Sequence, residues 1–267
     1  MKIAVYQGPG TPLDVAANIE TLARQAKRSA RQGARLLIAP EMILSGYNIG
    51  PEAIAERAEA VDGASARAIA GLAERYQIAI LYGYPERAGS KIFNAVQLLD
   101  RDGRRLANYR KTHLFGDIDR HAFSPGTDAS VVFDLDGWRC GLLICYDVEF
   151  PESVRRLALA GVDFVAVPTA VMQPYDFVST HMVPTRAVEN QVFLAYVNRC
   201  ASENGLQYIG QSCVVGPDGN DLARAGHDET LIFADLEREL LGSSRQFYTY
   251  LSDRNPSLYA PLTNNPD

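Results

Sequence analysis

Gly141-Leu142-Leu143-Ile144-Cys145-Tyr146-Asp147 is an apolar run that stops on a thiol and turns polar. Such a run suits a strand buried in a core. Its end delivers Cys145 from a rigid edge into a loop, and Pro151 follows soon after. Two other segments have the same shape. Leu36-Leu37-Ile38-Ala39-Pro40 leads into Glu41, and Leu106-Ala107-Asn108-Tyr109-Arg110 leads into Lys111. Taken singly, each has a plain reading: Cys145 as a small core filler, Glu41 as a turn residue, Lys111 as a solvated strand end. Taken together, an acid, an ammonium and a thiol at three strand ends point to chemistry.

Working outward, the strands and helices alternate. Ile3 to Tyr6 reads as a strand. From Asp14 to Gln32 the residues Ile19, Leu22, Ala23, Ala26 and Ala30 keep helical spacing, and Gly33 is a stop. Ser65 to Tyr76 is a second expected helix, and Ile78 to Tyr82 the strand after it. Three hairpins are expected around Asp102-Gly103, Asp136-Gly137 and Asp218-Gly219, their arms being 92–99 with 105–109, 131–133 with 139–144, and 212–215 with 221–223. Further helices are expected at 152–160, after Pro151, and at 180–191, with strands at 164–167 and 193–197. Alternation mixed with hairpins predicts an α/β fold with mixed sheets and helices outside. The repeated hairpins hint at internal pseudo-symmetry. No Pro/Ser-rich linker divides the chain, so 1–267 reads as a single domain with a C-terminal arm from about residue 246.

The bulk numbers restrict the function. The chain has 267 residues, 47% of them hydrophobic and 22% charged, the balance of a globular protein with a large core. A formal net charge of −6 argues against nucleic acid as a partner. No apolar run approaches the ~20 residues that span a bilayer, so no membrane partner is expected. Met1-Lys2-Ile3-Ala4-Val5 reads as a strand rather than a secretion signal. Cys140, Cys145, Cys200 and Cys213 form no C-x-x-C pair and no zinc-spaced cluster, which predicts free thiols in the reducing cytoplasm and no metal. No glycine-rich phosphate loop is present.

The three strand-end residues divide one reaction between them. A free thiol titrates near ~8.5, so it needs a nearby cation to become a thiolate at neutrality. Lys111 supplies that charge and an oxyanion donor, with the Tyr146 backbone N–H as a second donor. Glu41 takes the thiol proton, passes it to a leaving amine and activates water. The sum is acyl transfer from a C–N bond through a thioester. A rival Cys–His mechanism has His113 as its best candidate; the Glu/Lys pair already covers its duties, so His113 is expected to be a structural hydrogen-bonder.

Ala39-Pro40-Glu41, Tyr109-Arg110-Lys111 and Ile144-Cys145-Tyr146-Asp147 resemble, in order and separation, the three signature motifs of the nitrilase superfamily of carbon–nitrogen hydrolases. Arg186-Ala187-Val188-Glu189-Asn190 resembles a further segment of that family. The likeness runs from Ile3 to about Leu236. It implies a four-layer α-β-β-α sandwich, no cofactor, and subunits pairing across a helical face into a homodimer or higher homo-oligomer. It also implies Cys145 as nucleophile, Glu41 as general base and Lys111 as oxyanion stabiliser. Many family members carry a glutamate eight residues after the lysine; here that position is Asp119, one methylene shorter. Asp119 is expected either to position Lys111 or the amide, or to pair with Arg120 on the surface.

Nitrile-hydrolysing branches commonly follow the cysteine with Trp-Glu; Tyr146-Asp147 resembles the amidase side. Gly46-Tyr47-Asn48-Ile49-Gly50, Tyr82-Gly83-Tyr84-Pro85-Glu86-Arg87, Leu114-Phe115-Gly116 and Pro174-Tyr175-Asp176-Phe177 resemble the bacterial 5-aminopentanamidase group. That likeness implies a small amide substrate, 5-aminopentanamide, from lysine breakdown. A terminal ammonium needs a carboxylate or carbonyls at the far end of its pocket, for which Asp176, Glu149 and Asp119 are the candidates. Tyr47 and Phe115 are candidate lining residues. Glu149 also has a plain role in the charge pattern of a helix start, and Asp176 as a helix cap. Two alternatives keep other functions open: the same three residues acting on N-carbamoyl amines or on other aliphatic or chiral amino-acid amides, and a non-catalytic binding protein on the same fold.

Overall fold

The computed structural model describes residues 1–128, 130–259 and 261. Fourteen strands are described, β1 (Lys2–Gln7), β2 (Leu36–Ile38), β3 (Ala79–Ala88), β4 (Lys91–Leu99), β5 (Arg105–Arg110), β6 (Val131–Leu135), β7 (Trp138–Leu142), β8 (Phe164–Pro168), β9 (Phe193–Val197), β10 (Ser202–Glu203), β11 (Leu206–Gln207), β12 (Cys213–Val215), β13 (Asp221–Arg224) and β14 (Thr230–Asp235). Seven α-helices accompany them, α1 (Val15–Arg31), α2 (Pro51–Arg57), α3 (Ala64–Tyr76), α4 (Gly116–Arg120), α5 (Pro151–Leu159), α6 (Val183–Asn190) and α7 (Arg238–Phe247).

Two six-stranded mixed sheets form, ordered β14-β1-β2-β3-β4-β5 and β13-β12-β9-β8-β7-β6. Side-chain alternation explains how they stack. On β1, Ile3 and Val5 belong to the core shared with the second sheet, while Ala4 and Tyr6 pack with α1 and α3. Leu36 and Ile38 of β2 face inward the same way, and Leu37 outward. Strands buried on both faces are apolar at every position, and β2, β8 and β9 read so. Helices α5 and α6 cover the second sheet through Val154, Leu157, Val183 and Ala187. The result is the expected four-layer α-β-β-α sandwich.

The hinted pseudo-symmetry is present in the pairing. Along β14-β1-β2-β3-β4-β5 the neighbours run antiparallel, parallel, parallel, antiparallel, antiparallel. The second sheet, read β6-β7-β8-β9-β12-β13, has the same succession. Strand β7, which leads to Cys145, therefore occupies the place that β1 holds in the first sheet.

Local chemistry sets most element ends. Asp14 caps α1 by accepting from the Ala17 N–H at 2.9 Å, and each fully buried leucine such as Leu22 contributes about 2 kcal/mol. The expected hairpins at 102–103, 136–137 and 218–219 are antiparallel pairs. Three expectations need correction. Strand β7 ends at Leu142 rather than Ile144, because the Ile144 N–H is taken by the Asp147 carboxylate at 3.1 Å instead of a neighbouring strand. The helix expected at 180–191 starts as a single π-type turn, Val178–Met182, and Pro184 lies in the first turn of α6, where a missing N–H costs nothing. Strand β3 continues past Tyr82 to Ala88, paired along its whole length with β4. Elements α2, α4, α7, β10, β11 and β14 were not anticipated from sequence; α2, α4, β10 and β11 are too short for a periodic signal. Among the described residues no helix is long and apolar enough to cross a membrane. After α7 the chain lies over the body, with the Gln191 side-chain amide donating to the Tyr248 carbonyl and Leu251 packed on the core. Residue 260 and residues 262–267 of the expected arm lie outside the described residues.

Candidate active site

Three connections bring the strand-end residues together. Glu41 follows β2, Lys111 follows β5, and Cys145 follows β7. Of these strands, β2 runs parallel to both neighbours and β7 to β8, and the carboxyl ends of such strands are where open α/β sheets place ligands. Lys111 Nζ lies 2.8 Å from Glu41 Oε1 and 2.7 Å from Asp119 Oδ2, and none of the three side chains touches solvent. Asp119 is therefore not a surface partner of Arg120. It starts from the short helix α4, where it also accepts from the Phe115 N–H at 2.9 Å.

Burial alone pulls the Lys111 ammonium toward neutrality, but the charges of Asp119 and Glu41 outweigh it and hold the lysine well above its ordinary pKa. Burial pushes the Glu41 carboxyl up, Lys111 opposes this, and Asp119 adds to it; the net direction is upward. Asn94 on β4 donates to Glu41 Oε1 at 2.6 Å, while Glu41 Oε2 is buried with no hydrogen-bond partner among the described residues. A carboxylate with a raised pKa and one unengaged oxygen is suited to accepting a proton. Sequence reading passed over Asn94; its only signal was an amide inside the apolar run 92–99.

Cys145 opens a 3₁₀ turn, Cys145–Glu149, and sits in the left-handed region at φ +46°. A non-glycine residue there stores strain, which structures retain mainly at functional positions. Burial pushes the thiol pKa up, Glu41 adds to this, and Lys111 opposes it, as do Ala170 and Thr169 at the end of β8. Burial thus favours the neutral thiol, and the Lys111 ammonium favours its ionisation.

The loop after Glu41 is held from the separate two-stranded β10–β11 ladder. Glu203 of β10 accepts the N–H of Tyr47 at 3.0 Å and of Asn48 at 2.6 Å, and Arg199 pairs with the same carboxylate at 3.0 Å. Gly46 is at φ +96°, where a Cβ would stand 2.7 Å from Glu203 Oε1. Tyr47 is thereby set with its ring 5.7 Å from Lys111 Nζ.

Cys145, Glu149, Tyr47, Phe115, Met172 and Tyr175 line one cavity. It offers about 250 Å³ of space, part of it open to solvent. A roomier recess of about 490 Å³, lined by Tyr47, Asp117 and His121, does not include Cys145. Tyr146 stands half-buried, edge-on to Phe115 and Phe150, so its side chain supports the wall. Of the three carboxylates considered for a distant cation, Asp119 is engaged by Lys111. Asp176 is not on the cavity wall; Gln173 and Gln211 donate to its carboxylate at 3.2 and 3.3 Å, and it caps no helix. Glu149 is on the wall, half-buried, in no ion pair among the described residues, with burial pushing its pKa up to about 7 against the pull of Lys111 and Arg186. His113 lies with Asp147, 2.7 Å from its carboxylate and stacked on Phe150. Among the described residues no three His, Cys, Asp or Glu side chains gather around a point that could hold a metal.

Residues 2–246 match the carbon-nitrogen hydrolase family, and the chain belongs to it. It is an enzyme of the amidase branch of the nitrilase superfamily, as its relatives indicate. A protein from Pseudomonas protegens described as a hydrolase in the pqqF 5′ region is 54% identical, the alignment covering 98% of this chain and 92% of that one. An (R)-stereoselective amidase from a Pseudomonas species is 36% identical over 100% of this chain and 96% of its own. A structure of the Nesterenkonia AN1 amidase, a C145A mutant, superposes with a TM-score of 0.88 at 35% identity, covering 98% of this chain and 97% of that one. An E41Q mutant of that amidase shows Michael addition of acrylamide at its active-site cysteine.

Proposed function

We propose that this chain hydrolyses a short aliphatic amide to carboxylate and ammonia through a thioester on Cys145. The Cys145 proton passes to Glu41, and the sulfur attacks the amide carbon. The oxyanion that forms is met by Lys111 Nζ and the Tyr146 backbone N–H. The intermediate collapses with expulsion of ammonia, which takes its proton from Glu41. Glu41 then draws a proton from water, whose oxygen attacks the thioester, and the carboxylate leaves as the thiol is restored. Supporting this assignment is the buried Glu41–Lys111–Asp119 cluster beside the Cys145 cavity, together with the acrylamide adduct on the cysteine of the related amidase.

The finer reading is an amide with a terminal ammonium, 5-aminopentanamide. One observation carries it: Glu149 brings a carboxyl free of any ion pair to the wall of the same cavity as the thiol. A bound ammonium compensates the cost of burying that charge. Ammonia release from 5-aminopentanamide and from pentanamide tests this reading. Faster hydrolysis of the cationic amide, with the preference lost in Glu149→Gln, is the expected result; equal rates in the parent protein would remove the cation from the reading and leave the thioester chemistry standing. Lysine breakdown would supply such a substrate, and four buried free cysteines suit a reducing cytoplasm.

A further inference from the structure

Asp147 is fully buried, and none of the steps above uses it. Its Oδ1 accepts from the Thr112 hydroxyl at 2.8 Å and the His113 N–H at 2.9 Å, and lies 2.7 Å from His113 Nδ1. Its Oδ2 accepts from the Tyr109 hydroxyl at 2.9 Å and the Ile144 N–H at 3.1 Å. These partners fall in two groups. Tyr109, near the end of β5, and Thr112 and His113, on the connection that leaves it, flank Lys111. Ile144 immediately precedes Cys145, and Asp147 itself belongs to the turn that Cys145 opens.

We infer that Asp147 is a positioning residue of this hydrolase, its single carboxylate setting the connection that carries Lys111 against the turn that carries Cys145. This rests on the proposed roles of those two residues. Lys111 and Cys145 come from different sheets, so no shared ladder fixes their separation. Cys145 is held in a disfavoured backbone conformation, which persists only where its surroundings over-determine it. The bond from Ile144 N–H to Oδ2 closes that turn on itself, while Oδ1 holds the lysine side. A carboxylate is suited to this task because it only accepts, and four N–H or O–H donors converge on it. An asparagine of the same shape would turn its NH₂ toward one of those donors. Loss of placement then acts on the chemical step, because reacting groups shifted by about 1 Å lose on the order of 10²-fold in rate.

The test compares the parent protein with Asp147→Asn, Thr112→Val and Thr112→Ser. It reads kcat and KM on whichever amide the parent hydrolyses, and alkylation of Cys145 by iodoacetamide measured by intact mass. Alkylation needs no substrate assignment, so failure of the 5-aminopentanamide reading leaves this test intact. We expect Asp147→Asn to lower kcat about 10- to 100-fold with KM changed less than about threefold, and to slow alkylation. Thr112→Val should lose about 3- to 10-fold in kcat, and Thr112→Ser, which keeps the hydroxyl, should regain it. If Asp147→Asn does not fold, the two Thr112 variants decide. Variants with parent kcat and alkylation rate per folded site, altered only in melting temperature, would overturn the inference.

Discussion

The ammonium of Lys111 lies 2.7 Å from the carboxylate of Asp119, and both side chains are closed to solvent. Glu41 approaches the same ammonium at 2.8 Å. Two carboxylates thus share one cation in a site closed to solvent. That arrangement keeps Lys111 charged and Glu41 easier to protonate than an ordinary glutamate.

Asp119→Asn removes one negative charge from this cluster. With Asp119 neutralised, Glu41 keeps the pull of Lys111 and loses a repulsion, so its pKa falls. Because the base must be ionised to act, the acid limb of the kcat/KM profile should move to lower pH. A profile of ammonia release from pH 4 to 9 checks the direction; a limb that stays in place would detach Glu41 from the proton transfers. The maximal rate should also drop by about 10-fold or more, since Lys111 loses its second anchor.

Glu149 gives a signed effect on stability. Its carboxyl is raised from the ordinary 4.5 to about 7 by burial, so the folded protein holds that proton more firmly than the unfolded chain. The favourable contribution is complete below about pH 4.5 and is lost as pH rises through about 7. Glu149→Gln, which never ionises, should match the parent in melting temperature at acid pH and exceed it by pH 8. Thermal unfolding across that range measures the difference, and a gap that closes with rising pH would contradict the burial argument.

The strained backbone at Cys145 separates stability from function. Cys145→Ala and Cys145→Gly should both abolish turnover, because neither retains a nucleophile. Glycine occupies φ +46° without the Cβ clash, so the glycine variant should be the more stable of the two by about 1 kcal/mol. Urea unfolding of the pair isolates the backbone effect from the lost thiol.

Gly83 on β3 lets that strand pass close to Glu41. A Cβ there would stand 2.4 Å from the Met42 nitrogen and 2.8 Å from the Pro40 carbonyl. The obstacle is backbone, so it cannot step aside as a side chain would. Gly83→Ala should cost about 1–3 kcal/mol and displace Glu41, lowering kcat more than it raises KM. An alanine variant with parent kinetics would mean that the connection after β2 yields freely.

The sandwich was legible where local rules are strict. Apolar strands end on Glu41, Lys111 and Cys145, Asp-Gly pairs close the hairpins, and α1 runs between a capping Asp14 and Gly33. Short elements were less legible. The five-residue α4, which carries Asp119 to Lys111, has too few turns for a periodic signal, so the competing surface placement stayed open until packing settled it. Glu149, Asp176 and Asp119 were equivalent as carboxylates in loops. Only the chain path distinguishes the one on the cavity wall from the one bound by glutamines and the one bound by lysine.

By itself, the order of residues determined the alternation of strands and helices, and which acid, cation and thiol leave the core, since those depend on neighbours a few positions apart. Tertiary structure alone decided that Glu203 grips the Tyr47 loop from 156 residues away and that Asp147 joins the connection after Lys111 to the turn at Cys145. Such contacts follow from how the two sheets pack, and a carboxylate carries no mark in sequence of the distant donors that burial will force it to satisfy.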